Sequence, residues 1–475
     1  MLADLSAQQA TTGYANGDFS PVEVLDAVAE RIAACEPTIN ALWDNATGDG
    51  PVSERTRKVA QDSAGRWQRG EALSGLDGVV VTVKENIARA GVAMPSGTKP
   101  GSRTPEERNA PIVDRLEEAG AVIVGSTVMP DWGMLSSGVS SLHGITRSPI
   151  NPDLTTGGSS SGAGAAAVAG YGPIHIGSDI GGSIRLPGTW LGLATLKPSF
   201  GRVPLSVPYQ GRCAGPLARR MSDVIAAIEV IGRSDARDYT QLPPYAGAYQ
   251  TRFDPANVRV AVHVDAGCGM DVDPQVAEVV LGVAREFERA GAEVEEIEPF
   301  MDDELLSLID LFWRVRSYND LMKLSEEDRA HVLPYVAQWC EAGAHVTGPE
   351  LMDAYNSIHS MRKRTVSATE PFDLVLSPVL PLPRSRLSGP CRLTTRRRAW
   401  GTYRLRSHTT CRNSQLRPCM RVTQTTGGPW AYRLRAHALL THSFCPRRCG
   451  WKRRWTWSFP RAPWECSQKH TSPRT

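Results

Sequence analysis

Gly177-Ser178-Asp179-Ile180-Gly181-Gly182-Ser183-Ile184-Arg185-Leu186-Pro187 is one of two Gly/Ser-rich segments in the chain; the other is Gly157-Gly158-Ser159-Ser160-Ser161-Gly162-Ala163-Gly164-Ala165-Ala166-Ala167. Glycine lets a backbone turn sharply and lets a ligand approach main-chain N–H groups, and an Ala-rich run after a Ser cluster predicts a helix with free donors at its N-terminus. Both segments therefore suit anions or oxyanions. Upstream, Gly78-Val79-Val80-Val81-Thr82-Val83-Lys84 is a β-branched run that predicts a strand buried on both faces, with Lys84 delivered at its end. Farther out, Ser20-Pro21 before an apolar stripe ending at Ile32 predicts a capped amphipathic helix. Residues 110–120 read as a helix closed by Gly120, and residues 121–125 as the next buried strand. Helix then strand recurs at 273–290 and 293–297, and a long helical stretch over 301–366 precedes a strand at 373–376. This alternation predicts an α/β fold: a single large domain with a mixed central β-sheet covered by helices on both faces.

The chain has 475 residues, with 53 Lys+Arg against 50 Asp+Glu and a formal charge of +3. That near-neutrality is a cancellation. Residues 384–475 hold 19 Arg and 2 Lys against the single acid Glu465, a charge of +20, which leaves −17 on residues 1–383. Six of the ten Cys (Cys391, Cys411, Cys419, Cys445, Cys449 and Cys466) and six of the twelve Trp lie in this tail, which has no Ile and one Val and can bury little aliphatic surface. Residues 1–383 are long enough for one large core. No run of about 18 apolar residues occurs and the Met1 end lacks a basic-then-apolar pattern, so a cytoplasmic protein with no membrane span is expected. Cys35, Cys213, Cys268 and Cys340 are widely scattered, which suits reduced thiols.

Three chemistries compete for the Gly/Ser segments. A phosphate-binding P-loop needs Gly-Lys-Ser/Thr after the glycines, and neither segment has that Lys. The run from Gly162 to Ala167 fits a relaxed dinucleotide fingerprint, but it follows a Ser-rich loop instead of a strand and has no well-placed acid about 20 residues on. Nucleophilic acyl transfer, in which a base activates a Ser and a Gly-rich turn donates N–H groups to an oxyanion, is the reading that also uses Lys84. His143 and His175 sit in no Gly-x-Ser-x-Gly elbow, and Cys213 lacks a matching motif nearby.

These two segments, with Val83-Lys84-Glu85-Asn86 upstream, resemble the amidase signature family of Ser-Ser-Lys hydrolases. The likeness also takes in Ala110-Pro111, Gly120-Ala121-Val122-Ile123-Val124-Gly125-Ser126-Thr127, Asn151-Pro152 and the stretch from Leu196 to Pro204, and so covers residues 1–383. The resemblance implies Ser183 as nucleophile, Ser159 as a bridging Ser often held by a cis peptide bond, and Lys84 as base. It places the oxyanion hole at the N–H groups from Ile180 through Gly181 and Gly182 to Ser183. It calls for a small-molecule amide substrate and for no metal or cofactor; nucleic acid is not an expected partner, and a homodimer is compatible. Ser160 and Ser161 read as structural hydrogen bonders, and Asp179 and Arg185 as braces for the loop. Val79-Val80 stands where relatives commonly show a Pro. The run Arg185-Leu186-Pro187-Gly188-Thr189-Trp190 lacks the Gln and Cys typical of the glutamine-hydrolysing component of a tRNA-dependent amidotransferase, which favours a stand-alone amidase over that alternative.

The tail has three readings. As a nucleic-acid arm its charge and interleaved Trp and Tyr would bind phosphates and stack on bases. As a zinc module it would use Cys445, Cys449, His437 and His442, but it has no Cys-x-x-Cys pair. As a frameshift product of a GC-rich gene it would be Arg-, Cys- and Trp-rich and poor in acids, as observed. Shifting the frame by two bases, permitted codons for the residues from Cys411 to Arg433 yield a segment containing Gly-Arg-Pro-Met-Gly-Leu-Gln, which resembles the family's C-terminal segment. Residues 384–475 are therefore expected to be out of frame, disordered or misfolded, leaving a sheet edge open after Pro383.

Overall fold

The structure is a computed structural model that describes residues 1–43, 52–249 and 253–383, together with the main chain of Met420–Gln424 and Arg435–His437. Helix Pro21–Ile39 starts as the sequence predicts: the Ser20 hydroxyl accepts from the Glu23 N–H, the Glu23 carboxylate accepts from the Ser20 N–H, and Pro21 fills the first turn. Strands Val80–Lys84 and Val122–Thr127 are buried along their whole length.

Eleven strands form one sheet in the order Leu42–Trp43, Val122–Thr127, Val80–Lys84, Ile174–Asp179, Cys213–Ala218, Ala194–Lys197, Arg435–His437, Met420–Gln424, Leu374–Pro378, Arg259–Val262, Glu293–Glu296. Val80–Lys84 runs parallel to both Val122–Thr127 and Ile174–Asp179, whereas Ile174–Asp179 runs antiparallel to Cys213–Ala218, so the sheet is mixed. Alternate residues of the strands feed two cores. Val80, Val122 and Val124 pack with Val24, Leu25, Val28 and Ile32 of the first long helix and with Ala165 and Ala166 of helix Ser161–Ala169. Val81, Val83, Ile123, Ile174 and Ile176 face the other way, onto Ile112, Val113 and Leu116 of helix Pro111–Glu118 and onto Ala227, Ile228 and Ile231 of helix Met221–Ile231. Helices thus cover both faces, and Lys84 and Asp179 end neighbouring parallel strands at the same edge, the usual place for a site in such a sheet.

The helical stretch over 301–366 is not continuous. It divides into Asp303–Met322, Glu326–His331, Pro334–Glu341 and Gly348–Thr369. Ser325 and Thr347 cap new helices with their hydroxyls, and Pro334 supplies a new first turn, so each break carries the start signal of the next helix. Against the expected open edge, the main chain of Met420–Gln424 pairs with Leu374–Pro378, and Arg435–His437 closes the gap to Ala194–Lys197. The other residues of the tail, including the proposed zinc ligands Cys445, Cys449 and His442, lie outside the described residues. Among the described residues no helix is long and apolar enough to cross a membrane.

Candidate active site

Lys84 is fully buried, and its ammonium nitrogen donates to Ser159 Oγ at 2.8 Å and to Ser160 Oγ at 3.1 Å. Burial disfavours the charged form and, helped by the positive charge of Arg212, brings Lys84 down to about 7; Glu85 and Asp179 act in the opposite sense. Both serines lie just before helix Ser161–Ala169, and the Gly158–Ser159 peptide bond is cis. Packing leaves Ser159 little room, since a Cβ on Gly133 would stand 3.0 Å from its Oγ.

Ser183 belongs to the second Gly/Ser segment and, unlike Lys84, is partly exposed. Its carbonyl accepts the Ser160 N–H at 3.1 Å, which ties the two segments together. Ser160 does more than the sequence suggested: besides contacting Lys84, its hydroxyl donates to the Ser178 carbonyl at 3.2 Å and accepts the Ser178 N–H at 3.3 Å. Asn86 Nδ2 in turn donates to Ser178 Oγ at 3.0 Å.

Asp179 shapes the loop that carries Ser183. Its carboxylate accepts the N–H groups of Gly182 (2.9 Å), Ile184 (3.0 Å) and Arg185 (3.3 Å), and the Arg185 guanidinium at 2.9 and 2.8 Å. Burial alone would raise this carboxyl, but the charge and hydrogen bonds of Arg185, with Lys197 and the Ile184 N–H, more than offset it and hold Asp179 well below the usual carboxylate range. The brace expected of Asp179 and Arg185 is therefore present. Of the N–H groups expected as oxyanion donors, that of Gly182 is engaged by this carboxylate, while those of Ile180, Gly181 and Ser183 make no hydrogen bond among the described residues. Gly182 itself has φ +126°, a conformation other residues rarely adopt.

The side chains set aside from the sequence have structural surroundings. His175 is buried with its Nε2 on the Gly172 carbonyl at 3.1 Å and its Nδ1 on Thr82 Oγ1 at 2.8 Å, and burial lowers it to about 3. His143 holds the buried Glu85 carboxylate at 3.0 Å, and that carboxylate also accepts the Met129 N–H at 2.8 Å. Cys213 is 2% exposed and takes a hydrogen bond from Lys197 at 3.2 Å.

The sequence matches the Amidase family over residues 23–404, and the chain belongs to that family, an enzyme class of hydrolases acting on amide C–N bonds. It is 30% identical to an acylamidase of Rhodococcus erythropolis over 79% of each chain. It is 35% identical to an indoleacetamide hydrolase of Bradyrhizobium diazoefficiens over 62% of this chain, and there spans only 56% of the relative's length. The A component of a glutamyl-tRNA(Gln) amidotransferase of Symbiobacterium thermophilum is 34% identical, with 62% of this chain and 60% of that one matched. The fold is that of a bacterial aryl acylamidase of the amidase signature family, with a TM-score of 0.73 at 21% identity, covering 91% of this chain and 92% of the other.

Proposed function

We propose that this protein hydrolyses a small carboxylic amide to the acid and ammonia or an amine, through an acyl-enzyme on Ser183. The observation that supports this reading best is the buried Lys84 in hydrogen-bond contact with Ser159. A Lys that is neutral near pH 7 is a base, and Ser159 can pass a proton to it from a nucleophile. In this reading Ser183 Oγ adds to the amide carbonyl carbon while its proton moves to Ser159 and that of Ser159 moves to Lys84. The oxyanion is met by the N–H groups of Ile180, Gly181 and Ser183, where each donor is worth roughly 3 to 4 kcal/mol in other hydrolases. Gly182 contributes its left-handed backbone and lack of a Cβ, while its own N–H stays on Asp179. The C–N bond then breaks as the relayed proton returns to the leaving nitrogen, and water attacks the acyl-Ser183 ester through the same relay. This chemistry uses no metal or cofactor.

The test is ammonia or amine release from a panel of aliphatic and aryl amides, with acyl adducts trapped at short times and located by mass spectrometry. Release together with an adduct on the Ser183 peptide is expected; turnover with the adduct elsewhere would overturn the assignment. The glutamine-hydrolysing component of an amidotransferase would instead need a partner protein and would turn over glutamine alone.

We further propose that residues 1–383 are the catalytic domain and that residues 384–475 are translated out of frame. The composition break and the Gly-Arg-Pro-Met-Gly-Leu-Gln run recovered by shifting the frame support this. Strand pairing by Met420–Gln424 uses main-chain groups, which every reading frame supplies. Resequencing the gene across codons 376–390 is expected to show an inserted or lost base. An intact frame that yields a stable, active enzyme would refute it.

A further inference from the structure

Arg212 and Arg316 lie beside the proposed oxyanion loop without a carboxylate partner among the described residues. The pairing of Asp179 with Cys213 sets Arg212 across from Ile180, the first residue of that loop. A tight turn, closed by the Arg212 N–H on the Tyr209 carbonyl at 2.8 Å with Gly211 at φ +79°, places Tyr209 next to it, and Tyr209 packs with Ile180 in one apolar cluster. Arg316, from helix Asp303–Met322, lays its guanidinium 4.3 Å from the centre of the Tyr209 ring and 5.4 Å from that of Trp313. Arg212 donates from Nη2 to the Asn86 carbonyl at 2.8 Å, two residues beyond Lys84.

The acids that could neutralise this pair are engaged elsewhere. Asp310 holds Arg314 at 2.6 Å, Asp320 holds Lys323 at 2.9 Å, Asp179 holds Arg185, and Glu85 is bound by His143. The Tyr209 hydroxyl is likewise buried with no hydrogen-bond partner among the described residues. The two guanidinium groups carry like charge, and partly buried Arg212 is harder to keep charged both through burial and through the charge of Arg316. A protein rarely leaves such an arrangement uncompensated unless a ligand completes it.

We infer that Arg212, Arg316 and Tyr209 form a carboxylate-binding subsite, so that the preferred substrate is an amide that also carries a carboxylate. Guanidinium forks match a carboxylate in plane, and the Tyr hydroxyl supplies one more donor. This rests on the amidase reading and narrows it to a substrate class. The carboxylate can sit on the acyl side, as in the monoamide of a dicarboxylic acid, or on the amine side, as in an N-acyl amino acid.

The experiment compares kcat/KM of the full-length protein from the sequence-verified gene on malonamate, succinamate and glutaramate, on N-acetylglycine and N-acetyl-β-alanine, and on neutral butyramide. One of the two anionic series is expected to exceed butyramide by about 100-fold, and the series that does so identifies the side. In Arg316→Met the anionic-to-neutral ratio is expected to fall by about 100-fold, with Arg316→Lys in between, because a point charge lacks the fork. General damage to the fold would lower both rates and leave the ratio unchanged. Equal rates on anionic and neutral amides, or an unchanged ratio in Arg316→Met, would overturn the subsite and leave the amidase reading standing. If no amide is turned over, that reading fails, and succinate binding by calorimetry decides the subsite: binding lost in Arg316→Met supports it, and no binding to the wild type overturns it.

Discussion

Replacing Lys84 by Met is expected to lower amide turnover by about 10⁴-fold or more and, at pH 6, to raise the melting temperature. Two properties of one side chain give these opposite effects. As the proposed base in a relay through Ser159 it must be neutral, so kcat/KM of the wild type should fall tenfold per pH unit below about 7 and level off above it. As a buried cation it burdens the fold. Its value is about 7 in the folded protein and 10.5 for a free side chain, so between these limits the unfolded chain holds a proton that the folded one lacks. Stability from this group therefore rises with pH across that window, and below pH 7 the penalty is complete, roughly 5 kcal/mol. Methionine removes the penalty and leaves the hydroxyls of Ser159 and Ser160 short of a donor, a loss of roughly 1 to 3 kcal/mol each. At pH 6 the first term is comparable to or larger than the second, and the advantage of the variant should shrink steadily toward pH 10. Paired thermal melts and pH–rate profiles check both halves. Full turnover in Lys84→Met, or a flat wild-type profile between pH 5.5 and 8, would remove Lys84 from the base role. Ser183→Ala should match the loss of turnover without the pH-dependent gain in stability.

Much of this arrangement can be read locally in the sequence, and the parts that cannot are those set by contacts between distant segments. The β-branched run into Lys84 and the Ala-rich helix after Ser161 follow from short-range pattern, and the strand is buried along its whole length as expected. The parallel pairing of Val80–Lys84 with Ile174–Asp179 then brings Lys84 near the second Gly/Ser segment, which the resemblance to amidases implied but no periodicity could. Ser160 reads as a loop hydrogen bonder because nothing in its neighbours announces Lys84, 76 positions away. Arg212 and Arg316 carry no motif at all. Their relevance arises from a turn opposite Ile180 and a helix laid across it, both tertiary facts. The breaks within 301–366 were legible in principle, since Ser325, Pro334 and Thr347 are ordinary helix-start residues overridden by the overall helical pattern.

Asp179→Asn, the exchange of one carboxylate oxygen for NH₂, is expected to lower kcat by about 10³-fold and stability by about 3 to 5 kcal/mol. The carboxylate accepts from five donors, three of them main-chain N–H groups. An amide has one acceptor oxygen, and its NH₂ would face N–H groups whichever way it turned. With the NH₂ on the Oδ1 side, the Gly182 N–H would be released and the Gly181–Gly182 peptide plane would be free to rotate, disturbing the N–H groups on either side of it. Arg185, whose side chain is 14% exposed, would lose its counter-charge. Because Arg185 holds Asp179 well below the usual carboxylate range, the contact persists through neutral and mildly acidic pH and weakens only as pH falls far below 4. The variant should therefore differ from wild type by a nearly constant amount between pH 5 and 8. Adding Arg185→Met to Asp179→Asn separates two contributions. If the uncompensated guanidinium causes the loss of stability, the double variant should regain most of it. Turnover should stay low, because the proposed oxyanion donors still lack their anchor. Additive losses of stability in the double variant would show that the pair is not coupled, and wild-type kcat in Asp179→Asn would show that the loop keeps its donors aimed without the carboxylate.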